Sequence, residues 1–150
     1  MQKVFFHYAD RNLPIKNKKN IKIAIQDLFV VEKIILGRID YIFCSDNHLL
    51  NINKQFLSHN YYTDIITFDL SEKKELLISE IYISVDRIID NSNALKTKTI
   101  EEFQRVIFHG ALHLCGYTDK NKKGTKRMRE KENYYILYCN SLKIPRESVS

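Results

Sequence analysis

Glycine and proline are scarce in this 150-residue sequence, at four and two residues, which leaves little room for flexible linkers or disordered tails. Cysteine is scarce as well. Cys44, Cys115 and Cys139 are scattered, odd in number and without a CxxC pair, so neither a disulfide scaffold nor a cysteine zinc site is expected. No apolar run approaches the length of a membrane span, and residues 1–10 lack the apolar core of a signal peptide. Repeats and low-complexity tracts are absent. The expectation is a cytoplasmic protein with no membrane partner. What is present suits one globular domain over residues 1–150, with 44% hydrophobic and 28% charged residues. Lysine and arginine number 24 against 18 acidic residues, a net charge of +6, which favours a polyanionic partner.

Local patterns predict strands at 3–8, 38–44, 65–69 and 75–84, the last two as an antiparallel hairpin. Helices are expected over 18–36, stopped by Gly37, and from an N-cap in Ser45-Asp46-Asn47 to about Leu57. A short helix at 86–93 follows. A capping box, Thr99-Ile100-Glu101-Glu102, should open a helix that ends near Cys115. A last helix should follow Gly124-Thr125 and run to about Ser141. Mingled strands and helices give an α/β-type reading with α+β character: a small mixed four-stranded sheet packed with about five helices.

The chemistry centres on His109-Gly110-Ala111-Leu112-His113-Leu114-Cys115-Gly116-Tyr117-Thr118-Asp119. Histidines four apart on a helix project from one face and can present two nitrogens to one metal ion. Gly116 suits the left-handed position where a helix stops, after which the chain can return Asp119 as an oxygen ligand. Two histidines, one carboxylate and a position left for water form a catalytic rather than a structural zinc pattern. Peptidases with H-x3-H carry a glutamate beside the first histidine as general base; Gly110 cannot take a proton, so a peptidase is disfavoured. Arg105, four residues before His109, shares its helical face and is a candidate phosphate ligand. Asp64 could polarise a ligating histidine, and His59 is a fallback ligand or acid/base.

His-Gly-x-Leu-His-Leu-x-Gly-Tyr resembles the signature of the YbeY family, bacterial metal-dependent endoribonucleases of ribosomal RNA maturation. Tyr62-Thr63-Asp64-Ile65-Ile66-Thr67-Phe68, Leu50-Asn51 and Ser79-Glu80-Ile81-Tyr82-Ile83-Ser84 are similar to three further family stretches, in family order. The resemblance implies a zinc ion, or another divalent metal, on His109, His113 and Asp119. It also implies single-strand RNA cleavage in 16S rRNA maturation and ribosome quality control. The implied partners are ribosomal RNA, the small ribosomal subunit and its assembly factors. Two departures stand out. The family's third histidine is Asp119 here, and an arginine near the active site is replaced by Leu57. The readings kept beside this one are a non-catalytic assembly factor with a structural metal and a metal-dependent hydrolase of another substrate.

Lys120, Lys122, Lys123, Lys126, Arg127, Arg129 and Lys131 crowd the stretch after Asp119. Of these, Lys122, Lys123, Lys126 and Arg127 are candidate RNA contacts, and Tyr61 and Tyr62 are candidates for stacking on unpaired bases.

Overall fold

The computed structural model describes residues 1–59 and 63–142. In chain order the elements are β1 (Val4–Tyr8), α1 (Lys18–Val31), β2 (Leu36–Cys44), α2 (Asp46–Leu57), β3 (Ile65–Asp69), β4 (Leu77–Ser84), α3 (Val85–Leu95), α4 (Thr99–Leu114) and α5 (Lys122–Ser141). The sheet order is β1-β2-β4-β3. β1 and β4 each pair parallel with β2, and β3 pairs antiparallel with β4. Among the described residues the result is a single α+β domain with the mixed four-stranded sheet and five helices that the patterning predicts.

Period-two alternation divides the strands between two apolar clusters. Ile81 and Ile83 of β4 face the main core with Phe103, Ile107, Phe108, Ala111 and Leu112 of α4. Tyr82, Ile66 and Phe68 face the other side, where Leu49 and Ile52 of α2 cover them. α4 is the central helix and touches α1, α3, α5 and β3. It can lie close to the sheet because position 110 is glycine. A Cβ there would meet Ile65 Cδ1 at 2.8 Å and Ile81 Cδ1 at 3.2 Å. The residue beside His109 is thus small for a packing reason, and that packing sets where the two histidines stand.

Two helix boundaries and one helix cap differ from the local patterns. α1 stops at Val31, because Lys33 enters the left-handed region (φ 62°). The Lys33 and Ile34 amides then donate to the carbonyls of Val30 and Phe29, a Schellman closure made without glycine. Gly37 therefore lies inside β2, and Ile35 is exposed. At the start of α4 the cap position is Lys98, with no side-chain cap. Thr99 is already helical, and Glu102 is buried rather than reaching back to the cap. α5 begins at Lys122, two residues before Gly124, because Asn121 caps it by accepting the Gly124 amide at 2.7 Å.

Candidate metal centre

α4 ends as its sequence predicts. Gly116 takes φ +101°, and the Gly116 and Tyr117 amides donate to the carbonyls of His113 and Leu112. This closure has two consequences. It brings the Tyr117 carbonyl to 3.0 Å from His113 Nδ1, and it turns the chain so that Asp119 faces the helix end. Asp119 Oδ2 then lies 3.5 Å from His109 Nε2, and Oδ1 lies 3.9 Å from His113 Nε2. The two Nε2 atoms are 2.9 Å apart. Among the described residues these three side chains form a group whose ligand atoms converge within 4.8 Å.

The tautomers test whether the group suits a cation. A carbonyl oxygen only accepts, so His113 Nδ1 must donate to Tyr117. His109 Nδ1 is 2.6 Å from Glu132 Oε2, and Glu132 Oε1 is ion-paired with Arg105 at 2.9 Å, so this nitrogen donates as well. In the neutral rings both Nε2 atoms are then acceptors facing each other beside a carboxylate, an arrangement that calls for a cation between them, a shared proton or a metal ion. Nitrogen and oxygen donors of this kind suit zinc and other divalent ions.

Glu132 was not visible as a site residue from motif spacing. Its carboxylate is 6% exposed and stands 23 residues beyond His109. The signal lay in α5, where Met128, Glu132, Tyr135 and Cys139 recur on one buried stripe; an acid on such a stripe calls for a buried partner. Burial alone would depress the His109 imidazole. The hydrogen bond and charge of Glu132, helped by Asp119 and Asp64, outweigh it and raise the pKa, making a more basic ligand. Glu132, not Asp64, holds the His109 ring; Asp64 lines the adjoining cavity and accepts the Ser84 amide through its carbonyl.

Arg105 does share the face of His109, and its side chain is 17% exposed. Its guanidinium bonds Glu132 Oε1 at 2.9 Å and Asn133 Oδ1 at 3.0 Å, with Glu101 at 3.9 Å. Arg105 lines a cavity of about 220 Å³ with Asp64, Glu102, His109, Asp119 and Arg129. Leu57 ends α2 and is 40% exposed. Tyr61 and Tyr62 lie outside the described residues. Lys122 and Lys126 line a cavity of about 580 Å³ that includes Asp119, whereas Lys123 and Arg127 line another of about 370 Å³ with Tyr117 and Glu32. Cys115 lies outside the converging group; burial, with the Glu32 charge, pushes its thiol up to about 12.

The loop that carries Asp119 is tied down by Glu32, the cap residue of α1. Glu32 accepts from Tyr117 at 2.7 Å, Tyr135 at 2.5 Å and Lys131 at 3.3 Å. Burial pushes its carboxyl up, but the two hydroxyls and the lysine outweigh that and lower it. A lowered folded-state pKa adds stability that is present above the unfolded value of about 4.3 and lost as pH falls through the folded value. Glu32→Gln should therefore cost about 2 kcal/mol at neutral pH. The deficit should shrink below about pH 4; urea unfolding at pH 7 and pH 3 measures it. An equal deficit at both values would contradict the assignment.

Fold and site together define a class: a small α+β domain with a two-histidine, one-carboxylate centre at the end of its central helix. The model of the Endoribonuclease YbeY family matches residues 7–140, and the chain belongs to that family. An endoribonuclease YbeY of Cytophaga hutchinsonii is 42% identical over 130 residues, 87% of this chain and 91% of that relative. One from Parabacteroides distasonis is 39% identical over the same shares. A solution structure from Thermotoga maritima matches in fold, with a TM-score of 0.58, 24% identity, and 91% and 88% of the two chains covered. No helix among the described residues is long and apolar enough to cross a membrane.

Proposed function

We propose that the chain is a zinc-dependent endoribonuclease that cuts single-stranded RNA, acting in the cytoplasm on 16S rRNA during small-subunit maturation and ribosome quality control. Its partners on this reading are ribosomal RNA, the small subunit and its assembly factors. The observation that carries it is the 2.9 Å approach of the two Nε2 atoms beside Asp119, with an acceptor standing at the Nδ1 of each ring. The family's endoribonuclease relatives give the substrate class.

His109, His113 and Asp119 would hold the ion, which when bound supplies Lewis acidity toward water and a phosphodiester oxygen. Glu132 and the Tyr117 carbonyl keep both imidazoles in the ligating tautomer through the reaction. Arg105 holds Glu132 in place and offsets its charge at the cavity wall. The basic residues Lys122, Lys123, Lys126 and Arg127 receive the flanking strand, with Tyr61 and Tyr62 available for stacking.

The test uses tag-free protein and a labelled single-stranded RNA, with and without a chelator. Cleavage that stops with the chelator and returns with added zinc supports the reading. RNA binding without any cleavage in the zinc-loaded protein overturns it in favour of the assembly factor.

A further inference from the structure

The cavity beside the metal ligands is poor in free positive charge. Asp64, Glu102, Asp119 and Glu132 line it, against Arg105 and Arg129. Arg105 is committed to Glu132 and Asn133, so its charge is largely spent within the protein. With Glu132 paired to Arg105 and Asp119 committed to the bound ion, Asp64 and Glu102 are the carboxylates left on the wall. Beside the ion itself, the cation among the described residues of the wall that is free to meet a phosphodiester is Arg129. It is exposed, and among the described residues it makes no hydrogen bond or ion pair. It lines both the cavity of His109 and the larger one of Lys122 and Lys126, as do Asp119 and Thr125.

Helical spacing sorts the basic run into two stripes. Lys122, Lys126 and Arg129 follow one another at steps of four and three, on one face. Lys123, Arg127 and Lys131 follow at steps of four on a neighbouring face. In that second stripe Arg127 lies 5.0 Å and Lys131 5.7 Å from the Tyr117 ring centre, Lys131 pairs with Glu32, and Lys123 and Arg127 line the cavity away from His109. The first stripe leads toward the metal ligands and ends at Arg129.

We propose that Arg129 binds the phosphate to be cleaved, at the head of a phosphate track formed with Lys122 and Lys126, and so supplies the cation that Leu57 does not. The proposal rests on the RNA-cleaving reading above. A guanidinium suits this post because its fork takes two phosphate oxygens at once, where an ammonium acts as a point charge. Burial raises the carboxyl of Glu102 while the charges of Arg105 and Arg129 oppose that rise, which agrees with Arg129 facing across the same cavity.

The experiment compares full-length wild type, Arg129→Ala and Arg129→Lys, with Lys74→Ala in the turn between β3 and β4 as the equal-charge control. Bound zinc is counted, single-turnover cleavage of single-stranded RNA is timed, and affinity for a non-cleavable 2′-O-methyl RNA is followed across salt concentrations. In Arg129→Ala we expect unchanged zinc, cleavage slower by about 10–100-fold, and a salt slope smaller by about 0.7, the single-strand value for one lost phosphate contact. Arg129→Lys should restore the slope but only part of the rate, and Lys74→Ala should match wild type. Wild-type cleavage and slope in Arg129→Ala would overturn the proposal, as would loss of zinc. A wild type that cleaves nothing would overturn the enzymatic reading alone, since the salt slope still decides the phosphate contact.

Discussion

His113→Ala should release the bound ion and lower RNA cleavage by about 10³-fold or more, the several kcal/mol of charge stabilisation that a Lewis acid supplies. The reasoning is geometric. His113 gives one of two Nε2 atoms that stand 2.9 Å apart, and Asp119 alone cannot replace a ligand on the helix. The fold should survive, because the His113 ring stands at the partly exposed end of α4 while the buried packing of that helix runs through Phe103, Ile107, Ala111 and Leu112. Circular dichroism of the variant should match wild type, and mass spectrometry should find no stoichiometric metal. A variant that keeps both metal and rate would remove His113 from the centre.

The second large effect falls on Glu132. Glu132→Gln keeps the size of the side chain but gives up the charge that holds His109 and Arg105 together. Groups that orient a metal-binding histidine are worth about 10–100-fold in metal affinity or activity, so a competitive chelator titration should show zinc affinity falling by that factor. Stability should fall too. Breaking a fully buried pair costs ~3–5 kcal/mol, and we expect roughly 2–3 here, because Arg105 keeps Asn133 and, at 3.9 Å, Glu101. The two effects separate in the double variant. Adding Arg105→Gln to Glu132→Gln removes the orphaned guanidinium and should recover much of the stability while leaving zinc affinity low. Recovery of both would mean that Glu132 serves the fold rather than the histidine.

These residues also show where the sequence could be read and where it could not. His109, His113 and Gly116 were legible because their relation is local: a four-residue step and a glycine stop depend on helix geometry and little else. Asp119 followed from the turn that Gly116 permits. The β3–β4 hairpin was legible for the same reason, with its turn and alternation adjacent in the chain. The end of α1 was misread because a lysine, Lys33, takes the left-handed position usually given to glycine. The start of α4 at Thr99 was legible, but not its cap: Lys98 holds the cap position without a side-chain bond, and Glu102 is buried instead of reaching back. Arg105 could be placed on the face of His109 by counting, but its partners Glu132 and Asn133 come from α5, and helix–helix pairing leaves no local periodicity. The same limit hid the order of the strands, whose parallel pairs join residues far apart in the chain.

The central claim is that His109, His113 and Asp119 act as one cation site. Native mass spectrometry of tag-free protein after zinc reconstitution, beside Asp119→Ala, tests it most directly. The expected result is one zinc per wild-type chain and a folded Asp119→Ala that takes up little or none at the same zinc concentration. A wild-type protein that binds no metal under those conditions, or an Asp119→Ala protein that binds it as tightly, would contradict the account.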